Sequence, residues 1–473
     1  MEHQGASLCW LWRWWRPVPG FCSIRYCLAV LLHACNFVIM AQRICLSLTM
    51  VAMVNMTDPQ DLTNTSTKTE LDYVKNPVYN WSPDIQGIIF SSIFYGAVAV
   101  QLPVGYLSGI YSIKKMVGSA LFFSSVLSLF TPPAAQVGKT LIIVCRVAQG
   151  MAQGTVTAAQ HEMWIKWAPP LERGRLTSIC LSGFLLAPFI VMLVSGFICD
   201  LLGWPMVFYI FGACGCVLCL IWFVLVYDDP KDHPCISISE KEYIISSLAQ
   251  QASSSRQSLP IKAMLKSLPL WAIFLSGSAF IWTNTLLVTY TPTFISTKLH
   301  VDIKKNGLLS GLPYLFACIC GLLAGHMSDY FLSRNIFNLL TIRKLFTILG
   351  ILSPVIFSMC LLYLSFNFYS TIIFLTLANA TTSFCLAGPL INALDIAPRY
   401  YGFLKAVTAV IGMIGALISS TVTGLILNQD PEFSWHKIFF LMAGINMTSI
   451  IFYLIFAKAE IQEWATEKQN TRL

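Results

Sequence analysis

Two arginines stand where a charge is costly: Arg43 in the run IMAQRICLSL and Arg146 in IIVCRVAQG, each with apolar sequence on both sides. A guanidinium stays charged at any physiological pH, and placing one in hydrocarbon costs at least about 2.5–3.5 kcal/mol. Its planar fork of donors matches the oxygens of a phosphate or a carboxylate. The chain has 22 Asp and Glu, yet none falls in the middle of an apolar run. Glu162, Asp329 and Asp395 lie at one set of ends, and Asp84 and Asp200 at the other. Two fixed positive charges with no internal carboxylate predict an anion site with Arg43 and Arg146 as its substrate-binding residues. The competing reading is structural, with each arginine donating to backbone carbonyls or reaching for the nearer interface. The same inventory argues against a cationic substrate and against a proton relay on a buried carboxylate. A sodium site would have to use neutral oxygens.

The elements that must position these residues follow from composition. Of 473 residues 56% are hydrophobic and 11% charged, with a mean hydropathy of +0.68; soluble domains carry about 25% charged residues. The class is an all-α membrane protein. A span needs about 20 mainly apolar residues, and twelve such runs are expected near 27–54, 85–109, 116–135, 139–160, 177–200, 205–227, 269–292, 307–330, 343–366, 369–393, 402–427 and 435–458. The long polar segments 55–84 and 228–268 divide them. This predicts a cytoplasmic tail 1–26, a six-helix half 27–227, a linker 228–268, a second six-helix half 269–458 and a tail 459–473. At 1.5 Å per residue, Arg43 would lie about 16 Å and Arg146 about 10 Å from the outer ends of their spans, close to one level.

Lys and Arg cluster on the side of both termini, which makes that side cytoplasmic. The opposite side carries the sequons Asn55-Met-Thr57 and Asn64-Thr-Ser66 and, nearer the next span, Asn80-Trp-Ser82, as expected of an outward face. Asn379 and Asn446 also begin sequons but fall inside spans, where chance matches are expected. The net charge of +8 thus reflects topology and gives no support to a nucleic-acid partner. The 16 cysteines sit in or beside apolar runs, suited to packing; no metal spacing is present. The first apolar run is too long for a cleaved signal peptide. Paired carboxylates and a nucleophile elbow are also missing, so an enzyme is not expected.

The halves echo each other. Gly105-Tyr-Leu-Ser-Gly109, followed by Lys114-Lys115, recurs as Gly325-His-Met-Ser-Asp329 with Arg334 and then Arg343-Lys344. WAPPLERGRL at 167–176 recurs as DIAPRYYGFL at 395–404. Of the remaining residues, His33 suits packing better than ligand binding, and Lys405 suits the interface. Gly150 and Gly154, four apart, suit close helix contact. SSSRQS at 253–258 reads as flexible, and Thr471-Arg472-Leu473 has the form of a PDZ ligand that would add a strand to a scaffold's sheet edge.

At RVAQGMAQG, WIKWAPPLERGRL and LDIAPRYYGFL the chain closely resembles the anion/cation symporter family of the major facilitators, over about Cys22 to Leu473. The resemblance implies the major facilitator fold and secondary active transport by alternating access. It points to sodium-coupled inorganic phosphate, to potential-driven organic anions such as urate, or to both. Sodium is then the candidate coupling ion and chloride a candidate modulator. The implied location is the apical plasma membrane of epithelium, with both termini cytoplasmic. An anion channel or a chloride-dependent organic anion exporter without sodium coupling is the alternative. Arg43 and Arg146 match family arginines implicated in anion binding. Gln153 replaces the glutamate of the proton-coupled members. Phe90 and Phe280 replace a histidine and an arginine of the glutamate carriers, and Gly109 replaces an acidic residue of the superfamily loop motif.

Overall fold

The computed structural model describes residues 23–54, 78–169, 172–252, 260–363, 367–429 and 433–465. Helices account for nearly all regular structure, and no strand occurs among the described residues. In chain order they are α1 (Ile24–Met53), α2 (Pro83–Leu107), α3 (Ile113–Val137), α4 (Lys139–Trp167), α5 (Arg173–Leu202), α6 (Trp204–Leu225), α7 (Ile238–Ala252), α8 (Ile261–Lys266), α9 (Leu268–Leu299), α10 (Ile303–Ser333), α11 (Leu339–Tyr363), α12 (Phe368–Thr382), α13 (Pro389–Ile396), α14 (Tyr401–Gln429) and α15 (Ser434–Phe456).

Among the described residues, eleven helical stretches are long and apolar enough to cross a membrane. The twelfth expected span is α4. Its 29 residues extend about 43 Å at 1.5 Å each, but Arg146, Gln149, Gln153, Gln160, His161 and Glu162 make it too polar to pass on composition. The helix that carries the chemistry is the one that least resembles a membrane span. The tenth span, expected as one piece over 369–393, is interrupted. After α12 comes a 3-10 turn, Ser383–Leu386, and then α13 begins at Pro389. Pro389 lacks an N–H to continue the ladder and restricts Gly388 before it.

The linker is more ordered than its polarity suggests. Ser237 accepts the amide of Glu240 at 3.2 Å, opening α7, and Ile244 on α7 is fully buried. Segment 253–258 lies outside the described residues, as do Asn55, Asn64 and Thr471-Arg472-Leu473. Asn80 is exposed three residues before α2, whereas Asn379 and Asn446 are buried inside α12 and α15.

Packing groups the helices into two compact units whose borders cut through α1, α2, α5 and α6. The first comprises Met1–Arg43, Tyr95–Ala187 and Phe208–Gln257. Its core joins Leu28, Leu32 and Ile39 of α1 to Val117 and Leu121 of α3, Met163 and Trp167 of α4 and Trp222 of α6. At its rim Arg25 bridges Glu172 at 2.9 Å and Glu240 of α7 at 3.0 Å. The second comprises Ile44–Phe94, Pro188–Val207 and Ser258–Leu473. It thus takes in the ends of α1, α2, α5 and α6 on the Asn80 side together with all of α9 to α15. One of its cores gathers Ile273, Phe274, Leu404 and Tyr453. Beside it Arg343 grips Asp395 with two donors, at 2.6 and 3.2 Å, and donates to the Ala387 carbonyl at 2.9 Å. Both side chains are about nine-tenths buried.

Removing one partner of a buried ion pair strands the other charge. Arg343→Ala is therefore expected to cost about 3–5 kcal/mol of stability, whereas the double replacement Arg343→Met with Asp395→Leu recovers most of it. Thermal unfolding of the purified variants in detergent checks both values.

Candidate anion site

The sequence-predicted arginines come together in the first unit, but in unequal roles. Arg146 is 2% exposed. Its Nη1 donates to the carbonyl of Gln42 at 3.2 Å and to Gln149 Oε1 at 2.9 Å, and its Nη2 donates to the carbonyl of Arg43 at 3.2 Å. The guanidinium therefore lies at the level of Arg43 and bolts α4 to the backbone of α1. Backbone donation, the bland reading of the sequence, describes what Arg146 does in this structure. Arg43 is only partly buried and donates from Nε to Gln153 Oε1 at 3.2 Å.

A layer of neutral groups holds the pair. Gln153 Nε2 donates to Ser124 Oγ at 3.2 Å, and Ser124 Oγ donates to Gln42 Oε1 at 2.7 Å. Gln42 Nε2 donates to Ser125 Oγ at 3.1 Å and to the Phe211 carbonyl at 3.3 Å. Gln149 Nε2 donates to the Ser124 carbonyl at 3.3 Å. Amides and hydroxyls both donate and accept, so they can close such a ring without adding charge. The two positive charges are left without a counter-charge from α1, α3 or α6, which contain no acidic residue. Glu162, the acidic residue of α4, lies about 24 Å along the helix from Arg146.

Close helix approach gives this layer its room. A Cβ at Gly215 of α6 would sit 2.1 Å from Ser125 Oγ and 2.6 Å from Gln42 Nε2. Where α2 meets α4, a Cβ at Gly96 would fall 1.9 Å from the Val147 carbonyl oxygen, and one at Gly154 3.0 Å from Ala97 Cα. The expected packing role of Gly154 is thus visible, and Gly150 is buried beside it.

A second polar layer lies two turns further along α1. Asn36 and Gln160 exchange amide hydrogen bonds at 3.1 and 2.6 Å, and Asn36 also donates to the Cys180 carbonyl at 3.0 Å. His33 Nδ1 meets Ser182 Oγ at 2.8 Å and the Ile179 carbonyl at 3.1 Å, consistent with a packing histidine. Reading the sequence for charge alone missed Gln42, Ser124, Gln149, Asn36 and Gln160. Spacing could have found several of them. Arg146, Gln149, Gln153 and Gln160 recur at intervals of three, four and seven, one face of a helix, and Asn36 and Arg43 stand seven apart on α1.

In the second unit the neutral replacements serve packing. Phe90 stands edge-on to Tyr290 with ring centroids 5.5 Å apart, and Tyr290 donates to the Ser420 carbonyl at 2.7 Å. Phe280 packs on the cluster of Ile351, Cys385 and Ile450. Lys405 lies 5.9 Å from the Tyr401 ring centroid. No group of three or more His, Cys, Asp or Glu able to hold a metal occurs among the described residues.

Comparison with known proteins bears on all of this. Residues 32–394 match the family model described as Major Facilitator Superfamily. The chain is 73% identical over 458 residues to the mouse protein named sodium-dependent phosphate transport protein 1, covering 97% of this chain and 98% of that one. The human protein of that name is 67% identical with the same coverage. A human protein named probable small intestine urate exporter is 48% identical, covering 96% of this chain and 94% of its own. Among solved structures, a bacterial homologue of the human lysosomal transporter Spinster, inward-facing and occupied, matches with a TM-score of 0.69 at 13% identity over 94% of this chain and 99% of that one. The D-xylose-proton symporter matches at 0.62 and 16% identity, over 92% and 98%. These two likenesses concern the fold alone. The chain is a multi-pass membrane protein of the Major Facilitator Superfamily and belongs, within it, to the family of the sodium-dependent phosphate transport proteins.

Proposed function

We propose that this chain is a secondary transporter of small anions that carries inorganic phosphate with sodium and organic anions such as urate. The observation that carries the reading is the layer around Arg43: two guanidinium groups at one level, ringed by amides and hydroxyls. In low-dielectric surroundings two fixed positive charges at one level favour an anion strongly. Arg146, whose donors engage the α1 backbone and Gln149, acts as the positioning group. Arg43, partly exposed, presents charge to the substrate. The named activities of the relatives, phosphate transport and urate export, agree with an anion of this kind.

Transport proceeds by alternating access, with the halves 27–227 and 269–458 moving about the anion. Two driving forces suit the site. Sodium, bound by neutral oxygens, would carry phosphate inward, with chloride modulating. The membrane potential, at about 2.3 kcal/mol per charge per 100 mV, would drive a monovalent organic anion out of a negative cytoplasm. Both termini face the cytoplasm at an apical plasma membrane, Asn80 faces outward with Asn55 and Asn64 as further glycosylation sites, and Thr471-Arg472-Leu473 engages a PDZ scaffold.

Purified full-length protein in liposomes tests the reading. Labelled phosphate uptake under an inward sodium gradient and labelled urate flux under an imposed potential are measured for wild type, Arg43→Gln and Arg146→Gln. Arg43→Gln should abolish both fluxes while leaving the unfolding temperature near wild type. Arg146→Gln should abolish both and also lower stability by about 1.5–3 kcal/mol, the worth of charge-assisted hydrogen bonds. Normal flux of both anions in a folded Arg43→Gln protein would overturn the anion site.

The Gln153→Glu variant reads the electrostatics directly. A carboxylate at that position would pair with Arg43 and compete with the substrate. The KM for phosphate should rise about tenfold or more at pH 7.5. Pairing with Arg43 favours the ionised form of the new carboxyl, so it stays ionised and the defect should persist from about pH 8 down to 5.5. Initial rates between pH 5.5 and 8 measure this against wild type.

A further inference from the structure

The last piece of the tenth span, α13, is held from three directions. Its start is pinned on α11. A Cβ on Gly388 would lie 2.8 Å from the Thr347 nitrogen, and one on Gly350 would lie 2.6 Å from the Cys385 nitrogen. Its flank is bonded, with Asn392 Nδ2 donating to the Tyr453 hydroxyl at 2.9 Å and Asp395 accepting from Arg343. Its far end is held by the segment that follows α15. Beyond Phe456 the chain runs over the surface, with Lys458, Glu460 and Ile461 exposed. The Gln462 amide then donates at 2.9 Å to the carbonyl of Ile396, the last residue of α13. A 3-10 turn, Glu463–Ala465, closes with the Ala465 amide on the Gln462 carbonyl at 2.8 Å. It sets the Trp464 ring 6.1 Å from that of Tyr400 and buries Ala465 in the core of Ile396, Ala397 and Leu404.

The first unit contains the counterpart. After α6 the carbonyls of Tyr227 and Asp228 accept from Trp167 Nε1, both at 3.2 Å. Trp167 opens WAPPLERGRL, just as Ile396 and Tyr400 belong to DIAPRYYGFL. In each copy of the repeat, the chain leaving the last helix thus returns to the same loop motif. The first return goes on to α7, where the Glu240 carboxylate accepts the amides of Ile24 and Arg25 at 3.3 Å and Arg25 Nε at 3.0 Å. The second return carries signs of a less settled seat. Asn392 Oδ1 on α13 and Trp464 Nε1 on the returning segment are buried with no hydrogen-bond partner among the described residues. A buried polar atom left unpaired disfavours the arrangement that strands it.

We propose that residues 457–465 form a brake on α13: docked, they hold its far end and slow the transport cycle; undocked, they let it turn about the pinned break at Gly388-Pro389. The proposal rests on the transport reading above, which requires the second half to rearrange. Conformational steps commonly limit turnover where a protein must open and close. A short helix fixed at both ends has to shed one fixture before it can turn. The start of α13 is wedged against α11 backbone, whereas its far end is held by a surface segment, so the far end is the one that yields. The anion site lies in the first unit, so the brake acts on rate and leaves anion affinity alone.

Phosphate uptake into liposomes and hydrogen exchange in lipid nanodiscs, both on the full chain, test this. Ala465→Asp puts a carboxylate into the apolar seat, and Gln462→Pro removes the amide that holds Ile396. Each should speed exchange in 389–404 about tenfold. Each should also raise the maximal rate of phosphate uptake about threefold with KM unchanged. Trp464→Phe keeps a ring and removes the unpaired N–H, so exchange there should slow and the maximal rate should fall. Lys458→Gln, on the exposed stretch, should change neither. A maximal rate that stays constant, or moves against exchange in 389–404, would overturn the brake. Faster exchange throughout the second unit would also overturn it, since the segment would then be a structural brace. Should the variants not fold, wild-type protein decides: α13 amides opening no faster than those of Gln462 and Ala465 support the brake, and α13 opening faster overturns it. Failure of the transport reading is separable, because wild-type protein would then carry neither phosphate nor urate while exchange in 389–404 still answered to the variants.

Discussion

The structure depends on a guanidinium that cannot be neutralised and cannot be left unsatisfied in an apolar interior. Arg146 meets that constraint by donating to the carbonyls of two successive residues of α1, Gln42 and Arg43, and to Gln149 one turn along its own helix. Because the acceptors are backbone, the bond fixes the separation and axial offset of α1 and α4. It also sets where the next residue's side chain, Arg43, can stand. The polar ring of Gln42, Ser124, Gln149 and Gln153 follows from the same demand, because each group brought in to satisfy one partner must itself be satisfied.

Neutrality of that ring is the chemical choice. At position 153 an amide accepts from Arg43 without adding a charge, where a glutamate would add one. The helix chosen to carry this layer is consequently the poorest membrane span of the twelve. α4 depends on neighbours to cover its polar face, and glycines at 96, 154 and 215 let α2, α3, α4 and α6 close in far enough to do so. Polarity within the bilayer and small residues at the helix crossings are thus one solution.

Architecture elsewhere follows a different economy. Among its described residues the second unit pairs aromatic and neutral polar side chains, such as Phe90 against Tyr290 and Thr283 with Asn446. Its buried charge pair, Arg343 with Asp395, joins the loop motifs of the repeat at one rim. On the Asn80 side Gly87 of α2 lies against Gly424 of α14 and Gly196 of α5 against Gly307 of α10, with Lys304 4.9 Å from the Phe197 ring centroid.

By itself the sequence determined the class, the number of spans, the repeat and the two charges that had to be explained. Those are properties of composition, of a 20-residue length requirement and of matching motifs, and none needs a partner in space. Fold and family were legible to that extent. The surroundings of the arginines were not. The neutral ring joins residues more than a hundred positions apart, and a carbonyl that accepts from Arg146 leaves no mark in the sequence because every residue has one. The break at Gly388-Pro389 was readable from its own two residues and was overridden by the apolar run around it. The paired glycines were visible as glycines; that Gly87 faces Gly424, and Gly196 faces Gly307, was decided only by packing, since contact depends on which helix faces cross.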